Sequence, residues 1–246
     1  MDDTEYLEAL ALAETTEVSG PFGRTVEVLL RRTRAARRIS LRVSKIDGRT
    51  TLSFPPGVSA RELERFLARH RDWLLESAGA ATDRHPVRAG GLLPVEGVMR
   101  RIESEPGPGT GPVRLELGRL VVPGAAECAA ARLRGYLRTL ARDVISGEID
   151  TFSGRSGRRP GRLAIRDTRS RWGSCSARGD LMFSWRLIMA PPTVRRYVVA
   201  HEVAHLTHLN HSRAFWDHVE WLMPGHAEWR SWLRRNGPGL HRYRFD

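Results

Sequence analysis

Lysine is almost missing from this chain. Of 40 lysines and arginines, Lys45 is the one lysine. A bias of that kind can come from genome composition alone, so it chooses no function. The formal net charge of +12 still favours anionic partners such as nucleic acid, nucleotides or acidic peptides. Cysteine is scarce too. Cys128 and Cys175 are far apart, which excludes a disulfide framework and fits a reducing compartment. No apolar run approaches the roughly 18 residues that span a bilayer. The opening "MDDTEYLEALALAE" is acidic and lacks the basic start and apolar core of a secretory signal. The expectation is a soluble cytoplasmic protein with no membrane partner.

What is present is a chain of 246 residues with the patterning of a globular α+β protein. Residues 1–20 read as a flexible tail or a short loose helix. Residues 21–122 read as a β-rich region with one helix. "TVEVLL", "RRISLRV" and "TTLSF" carry strand signals, with Asp47-Gly48 where a hairpin turn belongs. "VSARELERFLARHRDWLLESA" follows as a helix, capped by Ser59 and stopped near Gly79. Short strands interrupted by "EPGPGTGP" lead to residue 122. Residues 123–246 read as the second region. It holds a long helix, three strands ("RLAIRD", "SRWGSC", "LMFSWRLIM") and a helix opened by Pro191-Pro192.

That last helix carries "YVVAHEVAHLTHLNHSRAFW", with four of the nine histidines. His201 and His205 are four apart, so both imidazoles project from one helix face and can reach one divalent ion. Glu202 is rotated by about 100° from His201, which keeps its carboxylate off the metal and aims it at water. The division suits hydrolysis: zinc acidifies water and a carboxylate takes the proton. Val199, Val203 and Leu206 form an aliphatic back to this helix. A third ligand can come from His208 or His211. Three histidines on one straight helix would span about 10 Å of rise, too far for bonds of about 2 Å. A turn at Asn210 favours His211 and leaves His208 as a supporting or substrate-side residue. Glu220 and Glu228 are weaker options.

These residues carry a resemblance. "SRWGSCSARGDLMFSWRLIMAPPTVRRYVVAHEVAHLTHLNHSRAFW" resembles the YgjP-like family of zinc metallopeptidases, related to the WLM and SprT-like zincins. Arg171, Trp172, Gly173, Ser174, Cys175, His201, Glu202, His205, His211, Phe215 and Trp216 match its pattern. Val203 departs from it, standing where leucine is frequent. "RRTRAARRISLRV" and "RELERFLARHRDWL" are similar to the family's first hairpin and following helix, so the resemblance covers roughly residues 25–235. It implies a zincin-like core within 123–246, one Zn2+ per chain on His201, His205 and His211, and Glu202 as general base.

The function expected is that of a zinc-dependent metallopeptidase acting on a peptide or protein. One alternative is metal-dependent hydrolysis of a nucleoside triphosphate. Another is a nucleic-acid-associated protease or binding module. Both would draw on the arginine cluster of Arg31, Arg32, Arg34, Arg37 and Arg38, read as lying on a hairpin that grips phosphates. Arg34, Arg37, Arg38, Arg171, Trp172 and His208 are the candidates for substrate contact. Arg171 could also steady transition-state charge. Cys175 reads as a small apolar residue rather than a ligand.

Overall fold

The computed structural model describes residues 14–20, 25–44, 48–81 and 85–246, with side chains omitted at 79–81. The chain divides into two compact units, Met1–Arg84 and His85–Asp246.

The first unit is a four-stranded sheet backed by two helices. Its strands are β1 (Thr15–Ser19), β2 (Thr25–Arg32), β3 (Ser40–Val43) and β4 (Thr50–Phe54), in the order β1-β2-β4-β3. Helices α1 (Ala60–Arg69) and α2 (Arg71–Ala81) follow. Val28, Leu52 and Phe54 meet Leu63, Leu67 and Leu74 in the core. Ser59 caps α1 in a full capping box with Glu62, as its spacing predicts.

Four expectations need correction in this unit. Residues 15–19 are an edge strand rather than tail or loose helix, because their backbone pairs with Thr25–Leu29 and Val18 is buried; residues 1–13 lie outside the described residues. The single helix is two, since the backbone leaves helical geometry at His70 (φ −106°, ψ 10°), whose Nδ1 sits 2.8 Å from the Phe66 carbonyl. The second helix also runs through Gly79 to Ala81. Finally, the arginine cluster is not on a hairpin. β2 pairs in parallel with β4, and β3 pairs with the far side of β4. Arg34, Arg37 and Arg38 therefore ride the connection that carries the chain past β4. Of the expected turn, Asp47 lies outside the described residues and Gly48 has the positive φ (72°) such a turn uses.

The second unit starts with β5 (His85–Pro86), then β6 (Leu92–Val95), β7 (Val98–Glu105), β8 (Arg114–Glu116) and β9 (Arg119–Pro123). The last four form a sheet ordered β6-β7-β9-β8. The helix α3 (Ala129–Ser156) buries Leu133, Leu137, Ala141, Ile145 and Ile149 at four-residue spacing. Next come β10 (Leu163–Arg166), β11 (Gly173–Cys175) and β12 (Leu181–Ser184), ordered β10-β12-β11 with β11 at the edge. A 3-10 helix over Trp185–Met189 precedes α4 (Pro192–Ala204), α5 (Arg213–Leu222), α6 (His226–Leu240) and β13 (Tyr243–Arg244), which pairs with β5.

The expected boundary at residue 122 moves to 84. Leu93, Val95, Ile102, Leu120 and Val122 share one core with α3 and α4, so the sheet of β6–β9 cannot be cut from those helices. The architecture is mixed α+β, with several small sheets and six α-helices among the described residues. No helix among them is long and apolar enough to cross a membrane.

One buried ion pair network fixes α4. Arg195, 3 % exposed, holds Glu148 of α3 at 2.9 Å and Glu96 at 3.1 Å. Glu96 sits in the β6–β7 turn with φ 53°, and its N–H donates to the Ile188 carbonyl at 2.7 Å. Burial raises the Glu148 carboxyl above its ordinary range, against the pull of Arg195.

Candidate metal centre

The helix α4 ends at Ala204, a turn and a half before Asn210, where the sequence places its stop. The N–H groups of Thr207 and His208 both return to the Ala204 carbonyl. Asn210 acts instead through its side chain, whose Oδ1 accepts from the Ser212 N–H at 3.2 Å. Ser212 then caps α5. This reversal brings His211 back to the helix.

His201, His205 and His211 each place a ring nitrogen so that all three lie within 4.8 Å of one another. The Nε2 atoms of His201 and His211 are 3.2 Å apart. His205 turns its Nδ1 to the His208 carbonyl at 2.8 Å, which leaves Nε2 for another partner. Phe215 is fully buried beneath the three rings, stacked on His205 at 4.5 Å, and Trp216 stacks on His211 at 5.7 Å. Burial, followed by the neighbouring histidines, drives the His201 pKa down to about 3, and burial lowers that of His205. Neutral imidazoles are the form that ligates metal.

Glu202 is buried next to this cluster. Burial pushes its pKa up to about 7, with Arg171 pulling the other way. The carboxylate lies against the backbone of β11: a Cβ built on Gly173 would stand 2.6 Å from Glu202 Cγ and Oε1. Gly173→Ala must therefore displace the strand or the carboxylate. A shift of this size should cost any reaction that uses the carboxylate roughly 100-fold in turnover. Full activity in that variant would show that Glu202 has room to spare. His201 and Glu202 open on a cleft of about 150 Å³ walled by Trp172, Gly173, Tyr197 and Leu233.

The other expected residues separate clearly. The His208 ring meets His218 (centroids 5.4 Å) rather than the triad; its carbonyl is what serves the site. Arg171 is exposed, and Trp172 packs its ring on His241 at 4.9 Å. Cys175 is half-buried outside the triad, its thiol raised to about 11 by burial and then by Glu202 and Asp180. Glu220 is not with the triad either: it accepts from Gly225 N–H at 3.0 Å and pairs with His226 Nδ1 at 2.9 Å. Glu228 is exposed. Arg34, Arg37 and Arg38 belong to the first unit. Sequence reasoning missed Tyr197 and His226, which stack at 6.0 Å beside the cluster. Tyr197 stands one helical turn before His201, a spacing that could have flagged it.

The profile described as "YgjP-like, metallopeptidase domain" matches residues 37–236. The chain belongs to the YgjP-like family. The match spans both the cluster and Glu202, and it makes the protein a metallopeptidase at family level, with a metal ion implied. A search of curated proteins finds no match. Among solved structures, the metallopeptidase zymogen abylysin of Pyrococcus abyssi aligns at 24% identity and a TM-score of 0.33. The alignment covers 39% of this chain and 92% of that one, a likeness too partial to carry any argument.

Proposed function

We propose that the chain is a zinc-dependent peptidase with a zincin-like core, in which His201, His205 and His211 hold one Zn2+ and Glu202 is the general base. The observation that carries this reading is the convergence of three ring nitrogens within 4.8 Å beside a buried carboxylate. The donor set suits the ion. Two nitrogens bound at about 2.05 Å on a tetrahedral centre stand roughly 3.3 Å apart, and His201 and His211 are at 3.2 Å. When bound, zinc would polarise the scissile carbonyl and acidify water.

The chain's own residues supply the rest. The His208 carbonyl fixes the His205 tautomer, and Phe215 holds the three rings in place. Glu202, buried beside the three histidines, can take a proton from water and pass it on. The edge strand β11 runs past Glu202, so an extended peptide added along it would cross the carboxylate. Arg171, whose charge acts on the Glu202 carboxyl, would steady negative charge. A peptide is favoured over a nucleoside triphosphate because the cleft is walled by Trp172, Tyr197, Val198 and Leu233, a largely apolar surface that suits a side chain.

Protein purified without chelators should carry about one zinc per chain. It should cleave an unfolded protein substrate, stop on chelation and recover on adding zinc. Cleavage that persists in metal-free protein would overturn the proposal.

A further inference from the structure

The outer face of the first unit's sheet carries charge that peptide hydrolysis does not use. Val28, Leu41 and Leu52 point to the helices, so alternation turns Leu29, Arg31, Arg42, Thr51 and Ser53 outward. The register sets Leu29, Thr51 and Arg42 in one row and Arg31, Ser53 and Ser40 in the next. Just beyond that second row, the loop from β2 to β3 exposes Arg34, Arg37 and Arg38. None of Arg31, Arg34, Arg37, Arg38 or Arg42 makes an ion pair among the described residues. The acids of this face, Glu17 and Glu27, lie opposite each other toward the other end of β2.

We propose that this basic end of the sheet docks the phosphate backbone of nucleic acid. Guanidinium groups pair with phosphate through two parallel hydrogen bonds, and unpaired ones have no internal bond to give up. Arg31 and Arg42 are two strands and two residues apart, a separation of about 12 Å. That span, extended by the loop arginines, suits a run of phosphates rather than a single group. The outward positions include no aromatic side chain among the described residues, so bases find nothing to stack on. Contacts confined to the backbone position a nucleic acid without reading its sequence.

The test uses the full chain and a fluorescein-labelled DNA duplex of about 20 base pairs, followed by anisotropy over a range of KCl concentrations. Five phosphate contacts give a log K against log salt slope of about −4 to −5. A duplex of unrelated sequence should bind within threefold. The variant Arg34→Glu, Arg37→Glu, Arg38→Glu should lose at least 100-fold in affinity. The milder Arg37→Ala, Arg38→Ala should flatten the slope by about 2. The control Arg134→Glu, Arg138→Glu, Arg142→Glu makes the same charge change on the exposed side of α3 and should lose less than threefold. Equal loss in the control would overturn the proposal, because binding would then follow overall charge. Competition by polyglutamate as strong as by unlabelled DNA would overturn it too, marking a site for acidic protein.

Discussion

Glu202→Gln is expected to keep about one metal ion per chain and to lower peptide hydrolysis by 100- to 10,000-fold, the range for removing a positioned general base. Glutamine preserves the shape that fits against Gly173 but cannot accept a proton. Burial has a second effect. The ordinary carboxyl value of 4.5 rises to about 7 in the folded, metal-free chain. Between these values the folded chain holds a proton that the unfolded chain has released. The stability this group contributes is therefore complete below pH 4.5 and lost as pH rises through about 7. Its size is on the order of 3 kcal/mol. Glutamine does not titrate, so chelated Glu202→Gln should gain on chelated wild type by that order between pH 5 and pH 8. Paired urea unfolding curves measure the gap, and a gap that stays constant with pH would remove burial as the cause. Unchanged turnover would remove Glu202 from the chemistry.

His211→Ala should abolish tight metal binding, whereas His208→Ala should leave it nearly intact. The first takes away one of three converging nitrogens. The second removes a ring that meets only His218 among the described aromatic contacts and keeps the carbonyl that orients His205. Even changes to residues that merely support a ligand cost 10- to 100-fold in affinity, so losing the ligand itself should exceed about 100-fold. Zinc at about 1,000 times its Kd stabilises the folded chain by about 4 kcal/mol. That added stability should vanish in His211→Ala and persist in His208→Ala. Competition with a coloured chelator and thermal unfolding with and without zinc measure both. The reverse pattern would assign the third position to His208.

The site is more legible in the sequence than the path of the chain around it. The spacing of His201, Glu202 and His205 is set by helix geometry, which any sequence declares. The preference for His211 over His208 rests on the span of a straight helix, whereas the helix itself ends at Ala204, before either residue. Where the helix stops is harder, because nothing at Ala204 is a breaker; the stop comes from N–H groups turning back on a single carbonyl. Glu220 is available as a ligand in sequence, but His226, six residues on, takes its carboxylate. The N-terminal arginines read as a hairpin because β2 and β3 are adjacent in sequence. Strand order is decided by non-local pairing with β4, which local patterning does not encode. The same applies to Thr15–Ser19, whose one buried apolar residue, Val18, is too little signal without its partner strand. A boundary at residue 122 rests on a change of pattern from strands to helix, yet one core runs across it.

Arg195 has a consequence for how the metal is received. It stands six residues before His201 on the same helix and is tied at once to α3 and to the β6–β7 turn. Sliding or rotating α4 along its axis would break both ion pairs and leave buried charge unmatched. His201 is thus held in register by the fold itself, whether or not an ion is bound. The ordering of this helix belongs to folding, and metal uptake has little left to organise there beyond the short return from His205 to His211. Loading should accordingly be fast and nearly free of change in helix content, with the Asn210 turn as the segment that tightens.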